Sequence, residues 1–196
     1  MKRSLFVLIS IVGVALLAAG CGGGASKDFI AQDVSFAQEM IPHHKQAVEM
    51  ADLAETRASD PKVKALAAQI KGAQDPEIQT MTGWLTSWGE PVTAPAGGGG
   101  MAGHSMGGSS GSTGGMGMGM MTDAEMTSLE GSSGTAFDRQ FLTMMTGHHN
   151  GAIDMAKIQL EKGKFEPAKQ LATSIVDSQQ KEVAEMKSIL AALPDA

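Results

Sequence analysis

The sequence contains no tyrosine, two tryptophans and a single cysteine, and aromatic residues make up only 4% of it. Sheet proteins draw heavily on aromatic and β-branched side chains. Here Ala, Leu, Ile and Met carry the apolar content, which favours helix. One cysteine excludes an internal disulfide and any site built from several thiolates. Basic residues are outnumbered, 15 Lys and Arg against 21 Asp and Glu, for a formal charge of −6. No basic stripe runs along any segment, so no nucleic-acid partner is expected.

The long apolar run, Leu5 to Ala19, is too short for a comfortable membrane span of roughly 20 residues. Lys2 and Arg3 precede it, and residues 1–20 read as a secretory signal peptide. The run ends Leu17-Ala18-Ala19-Gly20-Cys21, which resembles a bacterial lipobox, in which Cys21 is lipidated and becomes the mature N-terminus. Ala18 stands where lipoboxes usually have Leu, with Leu17 one position further back. Residues 21–27, with Gly22 to Gly24, then form a flexible lipidated tether. The expected location is the extracytoplasmic face of a membrane, held there by Cys21.

What the sequence has in abundance is self-similarity. Phe36, Met40, His43, His44, Ala47, Met50 and Ala51 recur at a constant offset of 105 as Phe141, Met145, His148, His149, Ala152, Met155 and Ala156. The match continues without a gap through Leu66/Leu171, Ile70/Ile175, Gln74/Gln179, Glu77/Glu182 and Met81/Met186. Seventeen identities fall between positions 31 and 88. A fixed offset of this kind marks a duplicated structural unit.

Each unit reads as a helical hairpin. Residues 36, 40, 47, 50 and 54 follow the three-and-four spacing of one helix face. Asp60 suits an N-cap and Pro61 a first helical position. The second helix carries Val63, Leu66, Ala67, Ile70, Ile78, Met81 and Leu85, with a kink expected at Pro76. In the second unit the break falls at residues 162–167, and the last helix stops near Pro194. The hairpins span 28–90 and 122–196 and together predict an all-α four-helix bundle with a pseudo-two-fold axis. A helix of about 28 residues is roughly 42 Å long, and residues 90–135 are enough to run back along it as a long crossover. The two His-bearing helices would then be antiparallel neighbours; a parallel arrangement is the alternative the sequence leaves open.

Residues 91–121 read as a disordered Gly/Ser/Met-rich linker. They hold Met101, His104, Met106, Met116, Met118, Met120 and Met121, a second set of candidate metal ligands. Order is expected to resume at Thr122-Asp123-Ala124-Glu125, a capping-box pattern that opens a short helix.

The chemistry lies in the histidines and methionines. Met40, His43, Ala47 and Met50 share one helical stripe, and His44 lies on the next. Adjacent histidines point about 100° apart, so one faces the seam and the other its flank; the spacing leaves open which. Thioether sulfur is soft and suits Cu(I), while imidazole suits Cu, Zn, Ni and Fe. The paired Glu-x-x-His signature of di-iron bundles is absent, and no cysteine nucleophile is available, so no enzymatic activity is expected. Copper matches best, with Cu(I) ahead of Cu(II). Asp33 and Asp138 share a stripe with Met40 and Met145. In an antiparallel pairing each would approach the other helix's histidines, to orient an imidazole or add an oxygen ligand. Trp84 and Trp88 read as packing residues. The competing reading of the His-His pairs is structural: they hydrogen-bond in the core of a structural or signalling lipoprotein whose ligand is a partner protein.

The motifs Met40-Ile-Pro-His43-His44-x-x-Ala47-x-x-Met50-Ala51 and Phe137-Asp138-x-x-Phe141-Leu-x-Met-Met145-x-x-His148-His149-x-x-Ala152-x-x-Met155-Ala156 resemble the domain-of-unknown-function 305 family over residues 29–193. Thr146 and Gly147 depart from it, since an aliphatic residue often precedes the histidines there. The resemblance implies a ferritin-like four-helix bundle, bacterial, exported and often lipid-anchored, similar in its better understood members to periplasmic copper-binding proteins. Carried over by position, the implied ligands are Met40, His43, His44, Met50, Met145, His148, His149 and Met155. The function so implied is copper sequestration or transfer, with a copper donor or acceptor protein as partner.

Overall fold

The computed structural model describes residues 28–93 and 118–194. Among them are α1 (Ala31–Arg57), α2 (Pro61–Trp88), the short α3 (Asp123–Gly131), α4 (Gly134–Lys162) and α5 (Glu166–Ala192), and no strand. The helix ends follow the local chemistry. The Asp60 side chain accepts the Lys62 backbone N–H at 2.7 Å and Pro61 opens α2, using a proline where no intrahelical donor is needed. Gly89, at φ 71, closes α2 in the left-handed conformation. Thr122 and Glu125 form the reciprocal capping box that starts α3. Helix α2 continues through Pro76 from Pro61 to Trp88.

Helices α1 and α2 pack as one hairpin and α4 and α5 as the other; the hairpins meet mainly through α1 and α4. Two carboxylates show that α1 and α4 run antiparallel. Asp33, at the start of α1, accepts the Lys164 and Phe165 backbone N–H groups and the Gln159 amide at the end of α4. Asp138, at the start of α4, accepts the Ser59 and Asp60 backbone N–H groups just beyond the end of α1. The N–H groups of an inter-helix loop lack helical partners. Each hairpin's loop is therefore held by a buried carboxylate from the other hairpin.

The apolar interior divides into two clusters. One contains Met50, Ala54, Leu66, Ile70, Phe137, Phe141, Met145 and Met186. The other contains Phe36, Met40, Met81, Leu85, Ala152, Met155, Ala172 and Ile175. Both draw on α1, α2, α4 and α5, as the facing stripes of a bundle must. Trp84, Trp88 and Phe165 pack against the second cluster, with Phe165 edge-on to both tryptophans and Phe29 stacked on Trp88. No described helix is long and apolar enough to cross a membrane.

Candidate metal centre

Between the two apolar clusters lies a buried polar layer. His43, His44, His148 and His149 are each at most 1% exposed. The 100° step between neighbouring helical residues divides each pair. His43 and His148 turn to the α1–α4 seam and meet there, their ring centroids 3.7 Å apart. His44 and His149 turn inward along their own hairpins. The His44 Nε2 lies 2.7 Å from the Glu77 carboxylate on α2, and the His149 Nε2 lies 2.8 Å from the Glu182 carboxylate on α5.

Glu77 and Glu182 are the residues that local spacing missed. They stand 33 positions after their histidines, and only their identity in both copies marked them. A carboxylate on one ring nitrogen fixes the orientation of an imidazole and raises its basicity as a ligand. Gln74 and Gln179, one turn away on the same helices, are also buried, and both side-chain polar atoms of Gln74 lack a partner.

The Nδ1 atoms of all four histidines have no hydrogen-bond partner, nor has Nε2 of His148. A buried polar atom left unsatisfied costs about 1–3 kcal/mol, and these five nitrogens in one layer are the atoms with which the bundle can hold a ligand. Burial first, and then the neighbouring His44, push the His43 imidazole down to about 3. Burial, then His43 and His149, likewise hold His148 well below the usual histidine range; the His43 backbone opposes this at a geometry short of a full hydrogen bond. Both rings are therefore neutral at pH 7, the form in which imidazole binds metal.

Met40 and Met155 lie in the cluster on one side of this layer, and Met50 and Met145 in the cluster on the other. Antiparallel packing pairs Met40 with Met155 and Met50 with Met145 on opposite sides of the histidine layer along the bundle. Asp33 and Asp138 do something other than expected: both are bonded to inter-helix loops and neither to an imidazole. Backbone N–H groups at the ends of the hairpins take up their oxygens. No group of three or more His, Cys, Asp or Glu side chains converges on a preformed cation cradle among the described residues. The donors that fit a metal here are imidazole nitrogens, with soft thioethers in the clusters on either side.

Of the linker candidates, Met101, His104, Met106 and Met116 lie outside the described residues, as does Cys21. Met118, Met120 and Met121 are described, and this end of the linker is seated on the bundle. The Met118 carbonyl is 3.0 Å from His43 Nε2, and the Met121 backbone exchanges two hydrogen bonds with the Gln46 side chain.

The fold and the layer together define a duplicated helical bundle with paired histidines at its centre. Residues 33–190 match the family described as Domain of unknown function (DUF305), and the chain belongs to that family. A solved DUF305 structure from Streptomyces coelicolor, described as that of a secreted protein, superposes with TM-score 0.71 at 32% identity, covering 85% of this chain and 95% of that one. CopM in its Cu(I)-bound form superposes with TM-score 0.64 at 28% identity, covering 82% of this chain and 96% of that one. Its Cu(II)-bound form gives 0.65 at 32% identity. A stretch of 53 residues is 49% identical to an uncharacterised protein of Acanthamoeba polyphaga mimivirus; the match covers 27% of this chain and 35% of that one, so the chain spans about a third of that relative's length.

Proposed function

We propose that this protein binds copper outside the cytoplasm and sequesters it or hands it on, without catalysis. The observation that carries this reading is the set of buried imidazole nitrogens without partners, on His43, His44, His148 and His149. Met40, Met50, Met145 and Met155 flank the layer with thioethers, which favours Cu(I). CopM, similar over most of both chains, is known in Cu(I)-, Cu(II)- and silver-bound forms. The S. coelicolor relative supports an extracytoplasmic place. Anchoring through a lipid on Cys21 and exchange with a copper donor or acceptor protein complete the proposal.

A second reading is favoured by the His44–Glu77 and His149–Glu182 bonds. These satisfy two imidazoles within the bundle, as a structural or signalling lipoprotein with a protein ligand would require. Titration with Cu(I) against a chelator of known affinity separates the two. Wild type is expected to compete for copper, and His43→Gln/His148→Gln to lose that competition while keeping its helical circular dichroism. A folded wild-type protein that leaves all copper with the chelator would sink the copper reading.

A further inference from the structure

The repeat fails at one position in a telling way. Gln46 in the first copy corresponds to Gly151 in the second, and both members of this unmatched pair touch the same short segment, residues 118–121. Gln46 Nε2 donates to the Met121 carbonyl at 2.8 Å, and the Met121 backbone N–H donates to Gln46 Oε1 at 2.7 Å. Gly151 serves by having no side chain: a Cβ there would lie 2.0 Å from the Met118 carbonyl oxygen. Gly119 fits the same seat from the other side. Its φ is +80, a conformation glycine adopts freely, and a Cβ on it would lie 2.8 Å from the Gly147 carbonyl oxygen. The segment thus lies across the α1–α4 seam, pinned at one end by a carboxamide and let down onto bare helix backbone at the other.

This seating brings the Met118 carbonyl to His43 Nε2. A carbonyl oxygen can only accept, so Nε2 carries the proton and Nδ1 the lone pair. Met118 itself is 43% exposed while His43 is 1% exposed, so the segment stands between solvent and the ring it holds.

We infer that residues 118–121 form a positioning strap that fixes the tautomer of His43 and thereby selects Nδ1 as its donor atom. Glu77 and Glu182 impose the same choice on His44 and His149, so three of the four imidazoles are held through Nε2, one of them by the connector. His148 is the ring with no hydrogen bond on either nitrogen, so no partner selects its donor atom. The inference deepens the copper reading by naming the nitrogen each ring offers, and its test is made without metal, so the two succeed or fail separately.

The test is nitrogen NMR of the full chain labelled with 15N-histidine, together with amide hydrogen exchange. In wild type, His43 shows a protonated Nε2 and a pyridine-type Nδ1. In Gly151→Ala the new methyl displaces the strap. The His43 signals then move to a mixture of tautomers, the amides of 119–121 exchange about tenfold faster or more, and His44 and His149 are unmoved. Gly83→Ala, where a Cβ meets nothing within 4 Å, changes none of these. Gln46→Ala releases the Met121 end without adding bulk, and gives the same His43 change should Gly151→Ala fail to fold. A wild-type His43 protonated at Nδ1, or a His43 spectrum that stays put in both strap variants, overturns the inference.

Discussion

His43 and His148 lie ring against ring, 3.7 Å between centroids, at equivalent positions of two copies 105 residues apart. Two neutral imidazoles can share this seam; two charged ones would repel in a medium that solvates neither.

Stability should therefore depend on acidity in a defined direction. Burial depresses His43 to about 3 from an ordinary value of 6.5, and depresses His148 as well. An unfolded chain takes up protons at these rings below pH 6.5, while the folded chain does not. Stability is fully present above about pH 6.5 and is lost as pH falls toward 3. Thermal unfolding at half-unit steps of pH checks this. His43→Gln/His148→Gln should flatten the part of the slope between pH 6.5 and 5.

Removing the carboxylates behind His44 and His149 should weaken metal binding without abolishing the fold. Partners of this kind are worth about 10- to 100-fold in affinity. Glu77→Ala/Glu182→Ala is expected to lose copper affinity by that order in a chelator competition, and Glu77→Gln/Glu182→Gln, which can still accept from Nε2, to lose less. Unchanged affinity in the alanine variant would mean that these carboxylates serve packing alone.

Asp33 and Asp138 are expected to behave in the opposite way. Asp138 holds the Ser59 and Asp60 backbone N–H groups, and Asp33 those of Lys164 and Phe165. Hydrogen bonds to a charged group contribute roughly 1.5–3 kcal/mol, net of exchange with water. Asp138→Ala should lower unfolding free energy in urea by about 2–3 kcal/mol and leave copper stoichiometry as it was. A lowered stoichiometry in the folded variant would return this aspartate to the metal site.

Copper should stabilise the protein by mass action. A ligand at a hundred times its dissociation constant adds about 2.7 kcal/mol. Differential scanning fluorimetry with and without Cu(I) should show a rise in Tm for wild type, reversed by chelator, and none for His43→Gln/His148→Gln.

Much of this architecture can be read from the chain, because it is written twice. The offset yields both hairpins, and Asp60-Pro61 and Thr122 to Glu125 mark helix starts through side chains that act on neighbouring backbone. The direction of each histidine cannot be read this way, since a 100° step sends one ring to the seam and the other to its flank without saying which until the partner helix is placed. Glu77 and Glu182 were visible as repeat identities, yet their bond to histidine crosses a hairpin and leaves no local spacing. The aspartates misled for a related reason. Their stripe pointed to the neighbouring helix correctly, but two turns along an antiparallel partner is its end, not its histidines. The strap depends on a position where the copies disagree, and a search for matches passes over it.

The reciprocal hold of Asp33 and Asp138 on each other's loops has the form of an isologous contact, in which the same patch meets itself across a two-fold axis. A free-standing hairpin with this sequence pattern could build the same centre only by pairing with a second copy, and every residue would then occur on both sides. Joining two copies in one chain removes that constraint. Position 46 and position 151 no longer need to agree, and one can become a clamp while the other becomes a bare surface. The covalent connection thus does more than hold the halves together: it lets a symmetric centre be covered by a strap that differs from one side to the other.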